Sequence, residues 1–312
     1  MDLESIVADV AEDMKPHLGQ GAVADYIPAL ARADARKFAI AVTTLDGRQV
    51  SAGDARERFT IQSISKVFTL TMALEAAGPA LWQRVGREPS GSPFNSLVQL
   101  ENEAGIPRNP LINAGALVVT DAIVSNCAGD AIAAILDFVR ARSGSSEIDI
   151  DAEVARSEKE TGFRNAAMGN FMKSFGNLRN DVDAVLDVYF RQCAIGMCCA
   201  ELSRAMLYLA NDGCDPSSGE RIVSPGRARR INSIMLTCGH YDASGDFAFR
   251  VGLPGKSGVA GGIVAVVPGV LAVAVWSPGL NAQGNSLVGT LALERFTEKT
   301  GLSVFSADNG TR

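Results

Sequence analysis

Strand signals in this chain gather near its two ends, and a long, almost entirely helical stretch, residues 114 to about 236, lies between them. A sheet built from such a chain must join segments far apart in sequence and leave the helical middle to one side. At the N-terminal end Phe38–Thr44 is apolar and β-branched, Asp46-Gly47 is a hairpin turn signal, and Arg48–Ala52 is the return strand. Phe59-Thr60 is a short third strand or its approach. At the other end Asp246–Val251, Val259–Val267 and Leu271–Ser277 read as strands, the last two joined by Pro268-Gly269.

The helices follow from the 3.6-residue apolar period. One covers Asp2–Met14. Ala22–Ala31, which holds Tyr26-Ile27-Pro28, leads toward the sheet. From Ser63 the pattern turns helical, with Val67, Leu70 and Leu74 on one face, until Gly78-Pro79 stops it. Glu88–Phe94 reads as a loop. Within the middle, helices are expected over Ala114–Ser125, Ala131–Ser143, Asp151–Thr161, Asn165–Ser174, Asp181–Cys193, Cys199–Ala210 and Ser224–Met235. Gly162, Gly176 and Gly213 punctuate them, and a last helix runs over Asn285–Lys299. The expectation is an α+β fold: an antiparallel sheet from N- and C-terminal strands flanked by helices, plus a helical lobe. As a single domain over residues 1–312, its sheet lobe would take about 1–76 and 240–312 and its helical lobe about 77–239. The cleft between lobes is the place for a small-molecule site.

Composition removes several function classes. The net charge of -6 argues against a nucleic-acid partner, which would need a basic face for phosphates. No long basic run suits an anionic membrane, and no apolar stretch approaches the ~20 residues of a membrane span. Ile263–Trp276 comes nearest and is broken by Pro268-Gly269. The start of the chain is acidic and lacks the basic and apolar regions of an export signal, so a cytoplasmic location is expected. The six cysteines form neither a CxxC pair nor a Cys/His metal spacing, and the only histidines are His17 and His240. No metal, no cofactor and reduced, buried thiols are expected.

Two short elements carry chemistry. Ser63 and Lys66, in Ile61-Gln62-Ser63-Ile64-Ser65-Lys66-Val67-Phe68, make an SxxK pair at a helix start. Residues three apart share a helix face, so the amine reaches the hydroxyl. A serine needs a base to become a nucleophile, and a lysine serves if burial or nearby cations lower its pKa. Ser65 is the rival serine but points off the Lys66 face. Taken alone the spacing is weak, since Ser63 as a helix cap and Lys66 in solvent explain it equally. The second element is Lys256-Ser257-Gly258, ahead of a strand. It matches the KTG/KSG element that faces SxxK in the β-lactamase and penicillin-binding superfamily. A backbone N–H here and that of Ser63 would form an oxyanion hole.

With these elements in order, the chain resembles the serine-dependent glutaminases, which have a β-lactamase-like fold. The resemblance runs from about Val23 to Phe296 and rests on Ala24–Ala31, Ile61–Phe68, Asn109–Leu117, Ser157–Asn177, Val188–Ile195, Cys238–Ile263 and Trp276–Ser286. It implies Ser63 as nucleophile and Lys66 as its activator, with Tyr189 or Tyr241 relaying protons. It also places Tyr26, Gln62, Ser63, Asn113, Glu158, Asn165, Tyr189, Tyr241 and the backbone of Val259 on substrate-binding positions. The chemistry of free L-glutamine suits this set: Glu158 for the α-ammonium, and Tyr26, Asn113 and Asn165 as neutral donors for the α-carboxylate. Three of the four tyrosines fall on these positions. Phe163 departs from the pattern, standing where the family usually carries aspartate before Arg-Asn. The ankyrin repeats of animal glutaminases have no counterpart, so the chain corresponds to the catalytic core. A cofactor-free homo-oligomer, dimer or tetramer, is implied. Another SxxK hydrolase of β-lactamase or D-peptidase type, and a non-catalytic γ-glutamyl-binding module, are the alternatives; ammonia release separates them.

Overall fold

The computed structural model describes residues 1–90 and 97–306. Helix α1 (Leu3–Met14) opens the chain, and the Asp2 carboxylate caps it by accepting from the Ser5 amide at 3.3 Å. β1 (Ala39–Thr44) and β2 (Gln49–Gly53) form the hairpin around Asp46-Gly47, with Val42 opposite Val50. β3 (Phe59–Thr60) passes through a 3-10 turn, Gln62–Ile64, into α2 (Ser65–Ala77). Then come α3 (Leu97–Asn102), α4 (Asn113–Asn126), α5 (Ala131–Ser143), β4 (Asp149–Ile150), α6 (Ala152–Thr161), α7 (Phe163–Ser174) and α8 (Val182–Cys193). β5 (Ile195–Met197), α9 (Cys199–Ala205), α10 (Leu207–Ala210), α11 (Pro225–Cys238) and α12 (Ser244–Arg250) follow. β6 (Gly255–Ser257), β7 (Gly262–Val267), β8 (Leu271–Trp276) and α13 (Leu287–Thr300) complete the order.

The main sheet is antiparallel throughout, in the order β2-β1-β8-β7-β6. β1 beside β8 joins the two chain ends, with Val42 opposite Val273. Side chains alternate across the sheet with period two, and the two faces differ in size. Ile40, Val42, Val273 and Val275 pack with Val7 and Val10 of α1 and Leu293 and Phe296 of α13. Ala39, Ala41, Ala272 and Ala274 turn the other way into the core of the helical middle. Their small size lets α9 lie close on β1. This is the α+β, β-lactamase-like arrangement expected from the order of segments. Among the described residues no single helix is long and apolar enough to cross a membrane.

Several local expectations are overturned. Asp246–Val251 is not a strand but most of it is α12. Phe247, Phe249 and Val251 alternate as a strand would, yet Phe247 and Val251 are buried while Phe249 is 90% exposed, the helical i, i+4 pattern. Val259–Val267 is two pieces: Lys256-Ser257 lies on β6 itself, Val259 sits in the turn, and β7 starts at Gly262. The helical middle contains β4 and β5, which pair with β3 in a second sheet of order β3-β5-β4. Phe59-Thr60 therefore leaves the main sheet. Cys199–Ala210 breaks at Met206 into α9 and α10. Of the loop expected over Glu88–Phe94, residues 91–94 lie outside the described residues.

One buried ion pair ties α4 to the approach of α8. Asp121, fully buried, pairs with Arg84 and accepts from the backbone amides of Arg179 at 3.1 Å and Asn180 at 2.8 Å. Asn180 Nδ2 adds a bond at 2.8 Å. Removing one partner leaves an uncompensated charge and two orphaned amides. Asp121→Ala is expected to destabilise the fold by about 3–5 kcal/mol in urea unfolding, whereas Glu298→Ala, which breaks only an exposed pair with Arg295, should cost less than about 1 kcal/mol.

Candidate active site

Ser63 stands on a turn that the backbone must be forced to make. Gln62, just before it, has φ 48°, left-handed and costly for a residue with a side chain. The turn is held on one side by the Ile61 amide donating to the Ile195 carbonyl at 2.9 Å. On the other side Gly258 presses against it. A Cβ there would stand 2.6 Å from the Ile61 oxygen, so only glycine permits the approach. The Lys256-Ser257-Gly258 strand and the Ser63 turn thus meet, although they lie about 195 residues apart. Ser65 is buried and donates to the Gln62 carbonyl at 2.7 Å, bracing the turn.

Lys66 is 1% exposed, on the first turn of α2. Its Nζ donates to Asn113 Oδ1 at 2.7 Å and to the Leu111 carbonyl at 3.4 Å. Asn109 braces the approach to α4 by accepting from the Leu111 and Ile112 amides at 3.0 and 3.1 Å. Asn113, the first residue of α4, links Lys66 to Asn165, donating from Nδ2 to Asn165 Oδ1 at 3.0 Å. Burial lowers the Lys66 pKa to about 8, against the opposing pull of Cys193 and Glu158.

A cavity of about 410 Å³ opens above this group. Tyr26, Gln62, Ser63, Asn113, Glu158, Asn165, Tyr189, Tyr241 and Val259 all line it, and Lys66 lies behind Asn113. The structure therefore gathers nine of the residues singled out from the sequence around one cavity, while the Lys66 amine, expected to reach Ser63, spends its hydrogen bonds on Asn113 and the Leu111 carbonyl. Glu158 is buried, and burial raises its carboxyl to about 7, opposed by a hydrogen bond from Gln62 and by Lys66. Burial also raises Tyr241 to about 12, opposed by the neighbouring hydroxyls of Ser63 and Ser257. Tyr189 is pushed up by burial too, and pairs with Cys193 instead. The fourth tyrosine, Tyr208, lies elsewhere, bonded to Thr71 at 2.7 Å.

Behind the cavity lies a polar layer. Lys256 is fully buried, donating to the carbonyls of Gly239 at 2.9 Å and Ser257 at 2.6 Å, with Nζ 4.5 Å from the Tyr241 ring centroid. Burial, then the charge of Lys66, lowers its pKa far below the usual lysine value. Ser257 Oγ donates to Asn285 Oδ1 at 2.6 Å, and Asn285 Nδ2 donates to the His240 carbonyl at 3.2 Å. Asn285 thus ties the β6 strand to the segment that carries Tyr241.

The sequence reading missed some lining residues. Cys193 is one; its thiol is raised to about 12 by burial, far from thiolate chemistry at neutral pH. Thr161, Gly162, Phe163 and Arg164, the break between α6 and α7, are others. Their signal was adjacency to Glu158 and Asn165. A Cβ on Gly162 would collide with Phe190, so glycine lets this break settle on α8. Among the described residues no cluster of three or more His, Cys, Asp or Glu could hold a metal.

The comparisons agree with this geometry. A sequence model of the family described as Glutaminase matches residues 21–305. A glutaminase of Agrobacterium fabrum is 60% identical over 307 residues, 98% of this chain and 99% of the relative. The solved structure of the probable glutaminase ybaS superposes with TM-score 0.90 at 38% identity, covering 97% of this chain and 99% of that one. A probable glutaminase from Bacillus subtilis, solved with 6-diazo-5-oxo-L-norleucine, gives TM-score 0.88 at 33% identity over 98% of each chain. Matched over nearly its whole length in sequence and in fold, this chain belongs to the glutaminase family.

Proposed function

We propose that the chain hydrolyses L-glutamine to L-glutamate and ammonia through an ester on Ser63. One observation supports the reading: a serine on a forced turn and a buried carboxylate line one cavity, and a buried amine lies directly behind its Asn113 wall. Neutral Lys66 takes the Ser63 proton. The oxygen attacks the side-chain amide, and the oxyanion is held by the Ser63 and Val259 amides. Among the described residues the Val259 amide donates to no backbone carbonyl, which leaves it free for this work. Tyr241, whose hydroxyl stays protonated near neutral pH, passes a proton to the leaving ammonia. Tyr189, bonded to Cys193, shapes the wall. Water then attacks the γ-glutamyl ester by the same route. Glu158 receives the α-ammonium. The α-carboxylate takes Tyr26 and the Asn113–Asn165 pair, next to the first turn of α7, where the helix dipole favours an anion. The whole chain acts as one catalytic unit, and a homo-oligomer, dimer or tetramer, follows from the family resemblance.

Ser63→Ala should abolish ammonia release from glutamine while leaving the circular dichroism spectrum unchanged. Ser65→Ala, which loses only a brace, should retain part of the activity; the reverse order would overturn the nucleophile assignment.

The pH profile follows from the two perturbed groups. Lys66 must be neutral, so activity rises as pH passes through about 8. Glu158 must be ionised to hold an ammonium, so activity also rises through about 7. Both deprotonations act in the same direction. The expected kcat/KM has a rising limb across this range, reporting the pair in the free enzyme. A flat profile from about pH 6 to 9 would contradict the role of Lys66.

Glu158→Gln should weaken glutamine use by about 2 kcal/mol in kcat/KM, the scale of a lost charge-assisted contact. N-acetylglutamine, with no cation for the carboxylate, should be a poor substrate for the wild type. Asparagine, one methylene shorter, should leave its amide short of Ser63 and lose about 100-fold. Equal rates on glutamine and N-acetylglutamine would remove Glu158 from the ammonium site.

A further inference from the structure

The cavity of about 410 Å³ is closed at its deep end by Ser63, Glu158, Tyr189 and Tyr241, each less than 9% exposed, and opens to solvent at its mouth. There Phe163 is 80% exposed, an uncommon state for a phenyl ring bordering a cavity. Beside it Arg164, the one cation among the lining residues, is exposed and makes no ion pair among the described residues. An apolar ring and an unpaired cation sit on the same helical turn as Asn165.

Resting on the glutaminase reading above, three ends of the substrate can be weighed. The side-chain amide points at Ser63, in the closed end, and cannot be extended. The ammonium faces the buried Glu158, so an acylated amine leaves that carboxylate without a cation. The α-carboxyl end lies near Asn165, on the turn that leads outward to Phe163 and Arg164. Its partners Tyr26, Asn113 and Asn165 are neutral donors, to which a peptide carbonyl can also accept, leaving no buried cation unpaired. We propose that the site also deamidates glutamine at the N-terminus of short peptides. The preferred second residue is apolar and covers the Phe163 ring, while the terminal carboxylate of a dipeptide meets Arg164. The reaction is that of glutamine: glutaminyl-phenylalanine and water give glutamyl-phenylalanine and ammonia. The γ C–N bond breaks, Ser63 holds the acyl group, and the oxygen of water ends in the new carboxylate.

The test compares glutamine, Gln-Phe, Gln-Gly and Phe-Gln with the wild type, Phe163→Ala and Phe163→Asp. Product is read by mass spectrometry, because N-terminal glutamine also loses ammonia by cyclising; only glutamyl-phenylalanine counts. The expected result is turnover of Gln-Phe, about tenfold ahead of Gln-Gly in kcat/KM, with Phe-Gln inert. Phe163→Ala should bring the Gln-Phe to Gln-Gly ratio near one, and Phe163→Asp should bring it lower still. A wild type that hydrolyses glutamine and leaves Gln-Phe intact overturns the proposal and spares the glutaminase reading. A protein inert toward glutamine overturns both. Phe163 and Phe171 lie eight residues apart on α7, and Phe175 follows four residues later at its C-terminal cap. If Phe163→Ala lowers the solution mass and leaves the ratio unchanged, the ring belongs to an interface between copies and the proposal falls.

Discussion

The pairing of β1 with β8 is the contact on which the rest depends. It joins Ala39–Thr44 to Leu271–Trp276 and so closes almost the whole chain into a loop. Closure entropy grows only slowly with loop length, so the cost is bearable, but it must be met before the long-range contacts repay it. Once formed, the pairing fixes where everything else lies. β7 and β6 add on the far side of β8, which carries Gly258 to the Ser63 turn. α1 and α13 cover one face, and the small alanines of the other admit the helical middle. The cavity is thus a product of sheet register. A two-residue slip would keep every side chain on its face and still move the Lys256 strand away from Ser63.

Burial is the second constraint, and it acts on charge. Lys66, Lys256 and Glu158 all lie below 9% exposure. Removing a charge from water is costly, and a protein commonly meets that cost by shifting the proton equilibrium. The directions are those expected: both lysines fall and the carboxyl rises. Lys256 feels the charge of Lys66 in addition to burial, in the same direction. Its two carbonyl partners suit either protonation state, since both forms can donate. The same dry surroundings that weaken Lys66 as an acid–base bystander make it a usable base in the proposed chemistry.

Much of this could be read in the residues. The α1 period, the Asp46-Gly47 hairpin and the capped α5 stand where their patterns place them, because local propensity and burial agree there. The SxxK and KSG segments identified the two walls of the site, and the family resemblance supplied the others. The failures have physical causes. Phe247, Phe249 and Val251 fit two periods, and only tertiary burial chooses the helical one. β4 and β5 are two and three residues long, too short to show a period against helical surroundings. In the sequence Asn113 reads as a carboxylate ligand; its bond to Lys66 joins the first turns of α4 and α2, a contact that no local pattern announces. Cys193 gave no sign of lining the cavity, because its place there is set by how α8 packs against α4, α6 and the Gln62–Ile64 turn.

Two residues with positive φ border the cavity, and they explain why its geometry holds. Gln62 has φ 48° and Tyr241 φ 56°, neither a glycine. Each such residue costs on the order of 1–3 kcal/mol, so its surroundings must hold it in place. For Gln62 the Ile61 amide bond to Ile195 and the Ser65 brace supply that hold. For Tyr241 the supports are the Ser244 hydroxyl, which accepts from the His240 amide at 3.0 Å and donates to the Tyr241 carbonyl at 3.0 Å, and Asn285 on the His240 carbonyl. The two forced turns lie far apart in the chain, yet they set the Ser63 and Tyr241 side chains on the wall of one cavity. A relaxed backbone at either position would rotate its side chain away and separate the proposed nucleophile from its proposed proton donor. In the proposed reaction the strain is the cost of preorganisation: it is met once, in folding, so that no reorganisation is needed when an oxyanion forms.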